Sequence, residues 1–192
     1  MLSTTPEAVL AALAQRYREP QRHYHTLQHV HELLARLEEL RAHAERPDLL
    51  HWAIWFHDAI YDPARADNEH QSAELAAASL HALGLAQQDV ARVVGMVEAT
   101  AGHRWLDAEP DTALFLDLDL SILGAPPERY ACYVAQVQAE YAFVPAPIFR
   151  AKRMAVLRDF LGRARLYLTE AGHQRFDTQA RINLAAELEG CG

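Results

Sequence analysis

The chain has 192 residues, 51% of them hydrophobic, with nine prolines and eight glycines, so it can fill one sizeable core and has the length of a single domain, 1–192. Its formal net charge of -8 argues against a nucleic-acid polymer as partner, because backbone contacts need a basic surface that displaces counterions. A small phosphate ester stays open to it, since a bound metal supplies positive charge locally.

Two cysteines, Cys132 and Cys191, are too few for a disulfide framework and point to a reducing compartment. Residues 1–15 carry no basic stretch ahead of an apolar block, and Pro6 and Glu7 interrupt the place where one would lie, so no export is expected. The apolar stretch 49–60 contains His51, His57 and Asp58 and falls well short of the ~20 apolar residues of a membrane-spanning helix. A cytoplasmic protein with no membrane partner is expected.

Helical period runs through nearly every segment and no alternating β-branched run reads as a strand, so the fold class is all-α. A first helix opens with Thr5 as N-cap and Pro6 behind it, lines one face with Val9, Leu10, Leu13 and Tyr17, and is stopped by Pro20. The second begins near Thr26, with Leu27, Val30, Leu34 and Leu37 inward and Glu32, Arg36 and Glu39 outward. The third starts near Pro47 and is apolar on almost every side through Phe56, the pattern of a central helix, and it includes His57 and Asp58. A loop over 62–67 leads to an alanine-rich helix that Gly84 can stop, then to one built on Val90, Val93, Val94 and Val97. A further helix spans 111–123 and ends at Gly124 and the Pro126-Pro127 pair. Beyond it come a helix bearing Tyr130, Tyr133, Val137 and Tyr141, a connection broken by Pro145 and Pro147, and two final helices.

Three polar insertions stand out against this apolar pattern. His57-Asp58 places an imidazole and a carboxylate in the most apolar helix, where an unpaired carboxylate is costly and therefore needs a metal or a paired donor. A buried Asp-His hydrogen bond that only fixes the helix is the competing explanation. His25 and His29 lie four residues apart and share a face if the second helix begins early enough; His23 and His31 read as surface. Asp117 and Asp119, two apart, point in nearly opposite directions on a helix, so one is a ligand and the other structural. Carboxylates with imidazoles suit a divalent ion, Mn, Mg, Co, Ni, Fe or Zn, which can activate water and hold an ester oxygen.

The order His29, His57-Asp58, Asp119 resembles the HD superfamily of metal-dependent phosphohydrolases. The stretches YREPQRHYHTLQHV, WFHDAIYD, NEHQSA, FLDLDLSILG and QARINLAAEL look like a bacterial family of predicted members of that superfamily, over essentially the whole chain. The resemblance implies an HD-type helical bundle that hydrolyses a nucleotide or another small phosphorylated metabolite. It implies metal ligands His29, His57, Asp58 and Asp119. The Y-H-x-x-x-H arrangement is similar to that of cyclic nucleotide phosphodiesterases, which implies His25 as the general acid and His29 as the ligand. Those relatives carry their distal aspartate in Asp-Leu-Ser, matched by Asp119-Leu120-Ser121 and not by Asp117. They also have further histidines after the His-Asp pair, where this chain has Tyr61 and Asp62, so a second metal is not implied.

Asp58 then orients or deprotonates the water. Glu69 is a further catalytic candidate, able to contact a second ion or a sugar hydroxyl, although an acid in the first turn of a helix is common for its own sake. Arg22, Arg150 and Arg153 are candidate phosphate clamps; His103, a single loop histidine, reads as exposed. Arg181 and Asn183 show no chemistry in the sequence. Two rival readings share the ligands: an HD-type di-iron oxygenase, which needs extra ligands, and a non-catalytic nucleotide-binding module with a structural metal. The aromatic C-terminal half offers a face for a homodimer.

Overall fold

The structure, a computed structural model, describes residues 5–102 and 109–190. His103 and Cys191 lie outside the described residues. Among those described there are helices and turns and no strand, so the all-α expectation holds. None of these helices is long and apolar enough to cross a membrane. The chain groups into two compact units, Met1–Leu116 and Asp117–Gly192, with the division falling inside one helix.

The first unit is built around α3 (Pro47–Phe56), against which α1 (Pro6–Arg16), α2 (Leu27–Leu40), α4 (Asn68–Ala82) and α5 (Gln87–Ala99) pack. Its run of apolar residues explains the central place: Leu49, Leu50, Ala53, Ile54 and Phe56 are all buried. Thr5 caps α1 through Ala8 N and Thr26 caps α2 through Gln28 N, both as the sequence suggests. On α2 the buried stripe is His29, Val30, Leu33, Leu37 and Leu40, so Leu33 takes the inward place expected of Leu34. Gly84, at φ +82°, ends α4 in the left-handed conformation that glycine adopts without steric cost.

Two expected helices are shorter than their apolar runs. The third stops at Phe56, so His57 is its cap and Asp58 lies in the turn beyond it. The helix expected over 111–123 is α6 (Pro110–Asp119) followed by a 3-10 turn, Leu120–Gly124. In both cases side chains from elsewhere take the carbonyls that the next helical turn would use. In the second unit Tyr167 Oη donates to Leu120 O at 2.9 Å, and Asn183 Nδ2 donates to Leu123 O and Ala125 O at 2.8 Å each.

The second unit contains α7 (Pro127–Glu140), α8 (Ala146–Gly162) and α9 (Glu170–Gly190), with α9 packed on the 3-10 turn and on α8. Its core holds Leu123, Leu157, Tyr167, Phe176, Ala180 and Leu184. Tyr130 and Tyr133 are buried in it, while Tyr141 caps α7 and is half-exposed.

Candidate metal centre

His29 sits in the first turn of α2 and is buried there. His57, equally buried, ends α3 and turns its Nδ1 onto Ile54 O at 2.8 Å. A carbonyl accepts only, so Nδ1 carries a proton; in the neutral imidazole Nε2 then holds the lone pair, the tautomer that a metal-binding histidine needs. That Nε2 lies 3.1 Å from His29 Nε2 and 2.9 Å from Asp58 Oδ2, and Asp58 Oδ2 is 3.7 Å from His29 Nε2.

Three atoms of metal-ligating type thus converge within one unit. A carboxylate oxygen and an imidazole lone pair repel at 2.9 Å unless positive charge lies between them. A proton can provide it, and so can a cation. At the ~2.1 Å bond of a divalent ion to nitrogen, two ligands at right angles stand ~3.0 Å apart, close to the separations seen here. The donor set and its spacing fit a divalent metal.

His25 precedes the Thr26 cap, so it does not share a helical face with His29 as the early-start expectation required. The loop brings it near all the same. Its ring is 6.0 Å from that of His29, centroid to centroid, and stacks on Tyr61 at 4.2 Å with the planes 29° apart. Tyr24 flanks both histidines, at 4.9 Å from His25 and 4.7 Å from His29. His23 and His31 are exposed.

The turn that carries Asp58 is held along its length. Arg22 donates to Asp58 O at 2.7 Å and to Ala59 O at 3.2 Å. Ser72 accepts from Ile60 N at 3.0 Å and donates back to Ile60 O at 3.3 Å. Gln21 donates to Tyr61 O at 3.1 Å, and Asn68 pairs with both backbone groups of Asp62 at 3.1 and 2.9 Å. Asn68 and Ser72 are one turn apart on α4, which gives the NEHQSA stretch a structural purpose that sequence reasoning missed. An asparagine and a serine at four-residue spacing behind a chemically loaded loop were the available signal. Glu69, between them, is half-buried in the first turn of α4 and joins none of these bonds.

Asp119 is the last residue of α6 and half-buried, in the second unit. Asp117 is buried and committed elsewhere: its carboxylate accepts from Leu168 N at 2.6 Å, Thr169 N at 2.8 Å and Thr169 Oγ1 at 2.6 Å, at the start of α9. Burial pushes its carboxyl above the usual range, against the pull of those donors.

The candidate phosphate clamps are otherwise engaged, except one. Arg22 is fully buried under the loops. Arg153 forks onto Glu187 at 2.7 and 2.9 Å and meets Tyr133 Oη at 3.2 Å, in a cluster completed by Tyr130. Arg150 is exposed on α8. Arg181 gathers the carbonyls of Leu161, Arg163 and Ala164 at the end of α8, and Asn183 those of Leu123 and Ala125 at the end of the 3-10 turn. Compared with known proteins, the chain matches no family model, no curated protein and no solved structure.

Proposed function

We propose that this chain is a metal-dependent phosphohydrolase acting on a nucleotide or another small phosphorylated metabolite in the cytoplasm. One observation carries the reading: His29 Nε2, His57 Nε2 and Asp58 Oδ2 converge at 2.9 to 3.7 Å while His57 Nδ1 is tied to Ile54 O. The ordered His, His-Asp, Asp pattern of the sequence supports it, and by that pattern Asp119 is the fourth ligand.

His29, His57, Asp58 and, by the sequence pattern, Asp119 would hold a divalent ion, which would lower the pKa of water and draw charge from a phosphoryl oxygen. Asp58 has a second oxygen with which to orient the attacking water and take its proton. Water adds to phosphorus, the ester P–O bond breaks, and the leaving oxygen takes a proton from His25. His25 suits that task because its ring is half-exposed and steadied on Tyr61. Glu69 has a subsidiary part in this reading, contacting a sugar hydroxyl or a second ion. The overall acidity is tolerable for an anionic substrate because the metal supplies the local positive charge.

The test is phosphate release from a panel of nucleotides and phosphomonoesters with Mn2+, Mg2+, Co2+ or Zn2+, on wild type and Asp58→Ala. Metal-dependent release that disappears in the variant is the expected result. Metal-loaded protein that releases nothing from the panel defeats the hydrolase reading and turns attention to oxygen consumption or nucleotide binding without turnover.

A further inference from the structure

Arg22 is a cation whose side chain is fully buried, yet among the described residues it meets only one carboxylate, that of Glu19 at 3.1 Å. Its other hydrogen bonds go to backbone carbonyls: His25 at 3.1 Å, Asp58 at 2.7 Å and Ala59 at 3.2 Å. Its guanidinium also lies 5.2 Å from the Tyr17 ring centroid and 5.4 Å from that of Tyr61, the ring on which His25 stacks. A guanidinium suits this place because its planar fork serves several carbonyls at once and both faces accept aromatic rings. The same burial leaves it no open face for a substrate phosphate.

One Nη1 atom bonds to the carbonyls of both His25 and Asp58. The two loops that carry those residues are far apart in sequence, and this atom spans them directly. Gln21 adds a second strap between the same loops through Tyr61 O. We propose that Arg22 is a positioning residue that fixes His25 and Asp58 in register with each other; what the register serves rests on the phosphohydrolase reading.

Two measurements on Arg22→Lys and Arg22→Ala test this. The stacked Tyr61 ring should shift the His25 Cε1 proton upfield in the wild-type NMR spectrum without any metal. In Arg22→Lys that shift should collapse while the methyl spectrum of the core is retained, because an ammonium cannot reach all three carbonyls. Calorimetric titration with Mn2+ should show affinity weakened by about 10- to 100-fold, the usual effect of losing a group that orients a ligand. Guanidinium ion added to Arg22→Ala should restore part of both signals. If His25 keeps its shift and Mn2+ binds as in wild type, Arg22 is merely a core residue and the proposal fails. If wild type itself binds no divalent ion, the phosphohydrolase reading fails instead, and the His25 signal still decides the role of Arg22.

Discussion

His57 and Asp117 are both buried polar residues in apolar surroundings, and they differ in what satisfies them. The outer nitrogen of His57 is spent on Ile54 O, whereas its inner one faces His29 and the Asp58 carboxylate, a contact that a proton or a cation must reconcile. His57→Ala should therefore reduce bound metal, measured by elemental analysis after dialysis, to background; a retained ion would remove His57 from the ligand set. Asp117 is satisfied wholly by protein donors at the start of α9, and Gly172 lies so close that a Cβ there would collide with its carboxylate. Asp117→Asn puts an amide against those donors, and should lower stability in urea by about 1–3 kcal/mol with bound metal unchanged. Because burial raises its folded-state pKa, the folded chain binds this proton more tightly than the unfolded one. Its contribution to stability is therefore greatest in acid and declines as pH rises through the ordinary carboxylate range toward the raised value. Asp117→Asn should abolish that slope. By apolar pattern and helical spacing Asp117 and Asp119 are equivalent acids in one run, and only the Asp-Leu-Ser resemblance at Asp119 tells them apart in the sequence. The partners that separate Asp117 from its neighbour lie more than 50 residues away, at separations of 51 and 52.

Element boundaries show the same limit. Apolar periodicity located α1, α2, α4 and α5 from their own residues, with Thr5, Thr26 and Gly84 as local punctuation. It overran α3, because nothing near Phe56 breaks a helix. The break comes from Arg22, 36 residues earlier than Asp58, and from Ser72, 12 residues after Ile60, which claim backbone groups that a further helical turn would need. The consequence for the site is direct: Asp58 points from a strapped turn and not from a helix face. Ser72→Ala leaves the Ile60 N–H and C=O without their side-chain partner, which should cost about 1–3 kcal/mol in a urea melt. The strap also holds the turn behind Asp58, so Mn2+ affinity should fall with stability. Unchanged affinity beside a stability loss of that size would show that the Arg22 and Gln21 bonds hold the turn unaided.

For the molecule as a whole, the all-α class was legible because every helix is marked by its own residues, whereas the donors at the candidate site are brought together only by folding. His29, His57 and Asp58 come from α2 and from the end of α3, and their convergence exists in the folded chain alone. An ion that binds this cluster and not the unfolded chain must therefore raise stability by mass action, by about 2.7 kcal/mol at a hundredfold excess over its Kd. For a chain of this length each kcal/mol moves Tm by about 2–4 °C, so saturating Mn2+ should raise Tm by about 5–10 °C above the EDTA-treated protein. The shift should vanish in His57→Ala, which removes a proposed ligand, and persist in Asp117→Asn, whose carboxylate serves α9. Calorimetry of the three proteins, each with Mn2+ and with EDTA, reads all of this. Equal Tm values for wild type in both conditions, with Zn2+ and Co2+ giving the same, would mean that a shared proton is what reconciles His57 with Asp58. The cluster would then be a structural hydrogen-bond network, and hydrolysis through it would have no metal to depend on.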